Sequence, residues 1–247
     1  MTRRTFITGG SKGIGSAIVK RLAADGHEVV FSYNSSAHQA DALCAIDREK
    51  VSCIGLDLQD PTSVETMRDY LDGDHEPFDG FIHCAGTTYD RLSMSGERGA
   101  ILKLMETNLF SMMGIYSLLL PAMMRNRFGR IICLGSVTAK LGNTGNAFYA
   151  SSKAAMGGFL RSSVAEIASR GITLNLIAPG FIATDMIRDY PGLESAAKKR
   201  IPAKRVGKPE DVAALASFLM REEAGYINGA TLTVDGGLSA TLGWSAA

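Results

Sequence analysis

Three residues in the middle of the chain have the types and spacing to share one reaction. Tyr149 stands four positions before Lys153 in "YASSK", and Ser136 closes "CLGS" thirteen positions before the tyrosine. Residues four apart on a helix lie on one face, so a phenol and an ammonium would meet over the same patch. A free phenol titrates near ~10, too high for easy proton exchange at neutral pH. An ammonium about 4 Å away contributes on the order of 4 kcal/mol at an effective dielectric of ~20, roughly three pKa units. A bound oxidised nicotinamide would add positive charge, so the expectation is a Tyr149 drawn towards neutrality and able to act as a general acid or base. Ser136 would hydrogen-bond a substrate oxygen and hold it beside the phenol. Hydride from a reduced nicotinamide would then reach a carbonyl carbon while Tyr149 protonates the oxygen. A Tyr–Lys pair at this spacing is on its own more often a surface contact. The case for chemistry rests on the elements that would position it.

The first of these is the glycine turn "TGGSKGIG", which contains Gly9, Ser11, Lys12, Gly13, Ile14 and Gly15. Its glycines are spaced G-x-x-x-G-x-G, unlike the usual dinucleotide fingerprint G-x-G-x-x-G. The physics is the same. Glycine permits a sharp turn and a close backbone approach to a pyrophosphate, and the following helix offers free N–H groups and a positive dipole end. The second strand ends "FSYNSS", with Asn34 and Ser35 where an acid would bind the ribose diol of NAD. Lys12 with small polar groups suits a 2′-phosphate, so the predicted cofactor is NADP(H). Asp57 and Leu58 follow the third strand, where the acid could accept a hydrogen bond from an adenine amino group. Cys84, Ala85 and Gly86 follow the fourth, where small side chains let the cofactor approach.

These loops belong to an alternating pattern. Strands are predicted at 4–8, 28–33, 51–57, 78–83, 129–135, 171–179 and 230–237. Helices are predicted over about 13–25, from about 37, from Pro61, over 100–125 and over 148–168. Near-continuous apolar strands alternating with helices imply a parallel sheet covered on both faces. The predicted fold is α/β: a single-domain Rossmann fold over residues 1–247, with a doubly wound seven-stranded parallel sheet flanked by helices. In such sheets ligands bind beyond the carboxyl ends of the strands.

The totals exclude several classes. The 247 residues are 46% hydrophobic and 21% charged, with a formal net charge of +1, which gives no case for nucleic acid or an anionic membrane. The apolar tract Met112 to Met124 is short and interrupted by Gly114, Ser117 and Pro121. Cys44, Cys53, Cys84 and Cys133 form no C-x-x-C pair, so no metal site is expected. No signal peptide is read at the N-terminus, and scattered cysteines fit a reducing cytoplasm.

With "LDLQD", "HCAG", "METNLF", "GSV" and "APGFIATDM" added to the glycine turn and "YASSK", the sequence resembles the short-chain dehydrogenase/reductase family over nearly its whole length. The resemblance implies a catalytic set of Asn108, Ser136, Tyr149 and Lys153, the asparagine holding a water near the lysine. It also adds Pro179, Gly180, Ile182 and Thr184 to the cofactor contacts, which already include Tyr149 and Lys153. A substrate lid is implied over 181–205. Within the family, "NRFGRIICLGSV" and "RIPAKRVGKPEDVA" look most like 3-oxoacyl-[acyl-carrier-protein] reductases. That likeness implies NADPH-dependent reduction of a 3-oxoacyl thioester in fatty acid or polyketide-type biosynthesis. It further implies a homotetramer packed through the helices at 100–125 and 148–168. Arg127 and Arg170 would dock the acidic carrier protein, with Arg125, Arg130, Lys198 and Lys199 on a basic rim. The sequence departs from the likeness at His83-Cys84, where two asparagines are frequent, and in a longer tail that carries Trp244. Two alternatives remain: a reductase or dehydrogenase of another ketone or alcohol, and a sensor that binds NADP(H) without turnover.

Overall fold

The structure is a computed structural model that describes residues 3–71, 73, 76–185 and 192–241. Seven strands form one parallel sheet: β1 (Arg4–Thr8), β2 (Glu28–Tyr33), β3 (Val51–Gly55), β4 (Gly80–His83), β5 (Gly129–Leu134), β6 (Ile172–Pro179) and β7 (Thr231–Val234). Their order is β3-β2-β1-β4-β5-β6-β7. The helices are α1 (Gly13–Ala24), α2 (Ala37–Cys44), α3 (Pro61–Leu71), α4 (Arg98–Met105), α5 (Ser111–Asn126), α6 (Ala147–Ile167), α7 (Leu193–Arg200) and α8 (Pro209–Met220).

Adjacent strand residues point to opposite faces, which divides the core in two. Phe6, Phe81, Ile131 and Leu176 join one cluster with Met112 and Ile115 of α5 and Leu160 of α6. Their neighbours Ile7, Ile82, Ile132 and Ile177 join the other, with Ile18 of α1 and Val212 and Leu219 of α8. Every residue of β4, β5 and β6 is buried, which explains why these strands read as near-continuous apolar runs.

The sheet grows in opposite directions from β1 and from β4. These two strands lie side by side, with Thr8 opposite His83. The turns leaving them therefore diverge and open a crevice at their carboxyl ends. The loops after β5 and β6 extend it.

Three features differ from the sequence reading, the first being α7, a helix inside the 181–205 segment that the sequence reads as loop. The predicted helix over 100–125 is broken: α4 passes through a π turn at Glu106–Phe110 before α5. The helix α8 was not predicted, although "KPEDVAALASF" carries its signals, a proline at the first helical position and acids in the first turn. The Lys208 backbone N–H donates to Asp211 Oδ2 at 2.8 Å, closing that end. The helical run Arg98–Asn126 is long and apolar enough to cross a membrane by length and composition alone. Its inward residues Leu104, Leu109, Met112, Ile115 and Leu119 are instead packed inside the fold. The tail with Trp244 lies outside the described residues.

Candidate active site

Two connected clefts lie at the carboxyl edge of the sheet and share Gly86. The larger, 340 Å³, is lined by Gly9, Ser11, Lys12, Asn34, Ser35, Asp57, Leu58, Ala85 and Gly86, all singled out in the sequence. The smaller, 140 Å³, is lined by Ile14, Cys84, Gly86, Ser136, Tyr149, Lys153, Pro179, Gly180, Ile182 and Thr184. Sequence reasoning missed, among others, Ser32, Ser36, Gln59, Thr87 and Thr107 on the first cleft, and it missed Leu134 and Gly135 on the second. Ser36 had a signal, since it continues the polar run after β2. Thr107 had none, because only the folding of the π turn brings it to the cleft.

The glycine turn is built for close approach. A Cβ on Gly9 would stand 2.8 Å from Ala85 Cα, and one on Gly15 would stand 2.1 Å from the Gly9 carbonyl. Gly9 and Gly13 also adopt φ of +68° and +53°, which side chains resist. Helix α1 begins without a side-chain cap and with no acid in its first turn. Its N-terminal N–H groups and dipole face the cleft, a fit for the pyrophosphate of a dinucleotide. Ser11 Oγ and Ser36 Oγ hydrogen-bond at 2.6 Å and tie the turn to the end of β2. Asp57 Oδ1 accepts the Gln59 backbone N–H at 2.9 Å, so part of its carboxylate is used within its own loop.

The reactive residues come from three elements. Ser136 follows β5 and opens a short 3-10 turn, Val137–Ala139. Tyr149 and Lys153 lie in the first turns of α6, and Asn108 lies in the π turn. Lys153 is buried, and its Nζ donates to the Leu134 carbonyl at 2.8 Å. Burial pulls its ammonium down to about 8. It still carries its charge at neutral pH. Asn108 is wholly buried. Its Nδ2 donates to Ser152 Oγ at 2.9 Å and to the Thr87 carbonyl at 3.0 Å, and its Oδ1 accepts the Thr87 N–H at 2.8 Å. The asparagine thereby fastens α6 and the loop after β4 to the π turn.

The sequence predicts a lowered pKa for Tyr149 with the lysine and an oxidised nicotinamide beside it; in the cofactor-free structure the phenol is raised instead. Burial holds the phenol above its ordinary value, with the nearby Ser136 hydroxyl acting in the opposite direction and the Asp90 carboxylate adding to the rise. Two facts explain the reversal. The Lys153 ammonium is 5.9 Å from the centroid of the tyrosine ring, and its bond goes to a backbone carbonyl. The desolvation of a phenolate outweighs so distant a charge.

His83 and Cys84 also take definite roles. Thr8 Oγ1 accepts the backbone N–H groups of Cys84 at 3.1 Å and Ala85 at 3.2 Å. Its own hydrogen is then left for His83 Nδ1 at 3.0 Å, which places the imidazole proton on Nε2. That Nε2 faces the Asn108 backbone but makes no hydrogen bond among the described residues. Burial pulls His83 down to about 3, so it is neutral at physiological pH. Burial pushes the Cys84 thiol up to about 12, which makes it a small packed side chain.

The remaining expected residues lie elsewhere. Arg127, with φ of 52°, ends α5 and donates to the Ser169 carbonyl at 3.2 Å. Arg170 lies just beyond the C-terminus of α6. Both are exposed at the amino edge of the sheet, opposite the clefts. Arg130 does not belong to an exposed basic rim. It is buried on β5, donates to the Gly129, Gly171 and Arg221 carbonyls, and stacks on Phe128. Parts of the 181–205 segment and the side chain of Lys198 lie outside the described residues.

A family described as enoyl-(acyl carrier protein) reductase matches residues 9–239. The 3-oxoacyl-[acyl-carrier-protein] reductase FabG of Haemophilus influenzae is 39% identical over 234 residues, covering 94% of this chain and 96% of that protein. The chain belongs to the short-chain dehydrogenase/reductase family. The 3-oxoacyl-[acyl-carrier-protein] reductase MabA of Mycobacterium bovis is 36% identical over 239 residues, covering 96% of this chain and 93% of that one. A solved short-chain dehydrogenase/reductase from Serratia marcescens superposes with a TM-score of 0.87 at 30% identity, covering 96% of this chain and 98% of that one. Membership makes this short-chain reductase an oxidoreductase that works with a nicotinamide cofactor, and the two clefts have the shape and chemistry to hold one.

Proposed function

We propose that this short-chain reductase uses NADPH to reduce a 3-oxoacyl-[acyl-carrier-protein] thioester to the 3-hydroxyacyl thioester. One observation carries the chemistry: Ser136 and Tyr149 line the same cleft beside a buried lysine. The curated relatives carry the choice of thioester.

When bound, the nicotinamide supplies a hydride to the carbonyl carbon. Ser136 holds the carbonyl oxygen, and Tyr149 gives that oxygen its proton. The raised phenol pKa suits this direction, because the proton stays on Tyr149 until charge develops on the substrate. Lys153 keeps a positive charge beneath the site, favouring the transient phenolate. Asn108 holds α6 against the π turn and, in this reading, orders a water that returns the proton. Pro179, Gly180, Ile182 and Thr184 border the nicotinamide end. Lys12, Asn34 and Ser35 favour a 2′-phosphate at the other end, Asp57 and Leu58 bound the adenine, and residues 181–205 close over the substrate as a lid of the single domain.

A carrier docked at Arg127 and Arg170 would lie far from the same chain's Tyr149. The 21 residues of α6 separate the two ends by about 30 Å at ~1.5 Å per residue. The docking reading therefore fits a carrier that serves the cleft of a neighbouring copy. Two sets of exposed apolar residues support a homotetramer: Leu102 and Phe110 beside α6, and Phe218 on α8 with Tyr226 in the turn before β7. Four free cysteines fit a reducing cytoplasm.

The matching family's description favours a second reading, reduction of a carbon–carbon double bond in an enoyl thioester. There the proton ends on carbon, and the Ser136 and Tyr149 hydroxyls have less to do. NADPH oxidation should be followed with acetoacetyl carrier protein, crotonyl carrier protein and a panel of simple ketones. Turnover of the 3-oxo thioester alone supports the proposal. Turnover of the crotonyl substrate in its place would establish the second reading.

A further inference from the structure

Ser136 is held by a neighbour that no sequence reasoning singled out. Thr138 lies two residues on, half-buried in the same 3-10 turn. Its Oγ1 donates to Ser136 Oγ at 2.8 Å, and its backbone N–H donates to the same oxygen at 3.2 Å. A serine hydroxyl has two lone pairs and one hydrogen. Both lone pairs are filled from Thr138, so the hydrogen must leave the turn on the side of Tyr149 and the substrate. We propose that Thr138 is a positioning residue that fixes Ser136 as a hydrogen-bond donor at the reacting oxygen. The inference rests on the carbonyl-reductase reading but not on the choice of thioester.

The physical content is directional. A serine free to rotate would spend part of its time with its hydrogen turned back to the backbone, offering a lone pair to the carbonyl oxygen. Two acceptors facing each other repel. Thr138 removes that orientation. Hydroxyls linked in a row also polarise one another, which makes the terminal donor stronger. The effect is largest when charge builds on the substrate oxygen, so it acts on the rate of reduction and not on cofactor binding.

The test compares Thr138→Val, Thr138→Ala and Thr138→Ser in the full chain. The readout is the single-turnover rate of NADPH oxidation with acetoacetyl thioester and with the ketone panel, together with the Kd for NADPH. Val keeps the shape without the hydroxyl, Ala removes both, and Ser restores the hydroxyl alone. Val and Ala are expected to slow turnover roughly tenfold, less than the 10²–10³ lost when a donor that itself touches developing charge is removed. Ser is expected to stay within about twofold of the unmodified chain, and the Kd for NADPH should not move. The inference is overturned if Val or Ala keeps the full rate. It is equally overturned if Ser is as slow as Val, or if the Kd for NADPH changes by the same factor as the rate. An unmodified chain that reduces no carbonyl would overturn the reductase reading and this inference together. An active chain whose Val variant matches it overturns this inference alone.

Discussion

Replacing Lys153 by Met separates what the site needs for chemistry from what the fold needs for stability. The ammonium's ordinary pKa of 10.5 falls to about 8 in the fold. A lysine depressed in this way binds its proton more weakly when folded than when unfolded, so carrying the charge opposes folding. The opposition is complete below pH 8 and fades as pH rises towards 10.5. Roughly 2.5 pKa units correspond to about 3 kcal/mol at pH 7 and about 1.4 kcal/mol at pH 9.5. Lys153→Met removes that cost but leaves the Leu134 carbonyl without its donor. The lost bond offsets about 1–3 kcal/mol at either pH. The absolute stability of the variant is therefore a weak test, and its change with pH is a strong one. Relative to the unmodified chain, the variant should lose about 2 kcal/mol of advantage between pH 7 and pH 9.5. For a chain of this length that is about 4–8 °C in thermal midpoint. The window is clean locally: Cys84 and Cys133 are pushed up to about 12, His83 is pulled down to about 3, and Tyr149 is raised. Calorimetry of the cofactor-free proteins at the two pH values decides it. A midpoint difference that stays the same within about 1 °C would refute the assignment of a buried charged lysine.

Four further outcomes are expected. Tyr149→Phe should lower kcat by about 10²–10⁴ while the thermal midpoint holds, and an active Phe variant would remove Tyr149 from the proton step. Gly15→Ala should abolish NADPH binding and lower the thermal midpoint, since its Cβ would lie 2.1 Å from the Gly9 carbonyl; fluorescence titration of NADPH checks it. Lys12→Ala should reduce kcat/KM roughly tenfold with NADPH and leave NADH unchanged, as expected for the loss of one charge-assisted bond to a phosphate. Arg127→Glu should raise KM for a carrier-bound substrate while a small thioester is unaffected, and an equal effect on both would rule out docking.

The turn after β1 was legible because its demands are local. Gly9, Gly13 and Gly15 are required by backbone angles and by contacts within a few residues or with the adjacent strand end. The face shared by Tyr149 and Lys153 was legible for the same reason, since helical spacing alone creates it. The π turn was not. "METNLF" carries no composition that separates it from an ordinary helix, and Asn108 acquires its partners only when Thr87 and Ser152 arrive from elsewhere. The position of Arg130 was equally hidden, because a strand residue before burial reads like any surface cation. For Arg127 and Arg170 the residue types were visible but the edge of the sheet was not. That edge depends on the direction in which α6 returns to β6.

The reversal at Tyr149 shows why spacing alone gave the wrong sign. Helical geometry correctly put an ammonium near a phenol, but a pKa depends on the balance of all neighbours. Lys153 is held by the Leu134 carbonyl, from a strand nineteen positions earlier, and that bond keeps its charge 5.9 Å from the tyrosine ring centroid. The cofactor-free site therefore keeps its proton on oxygen. A site poised as phenolate would favour removing a proton from an alcohol. A site poised as phenol has its proton ready for a carbonyl oxygen as charge appears there.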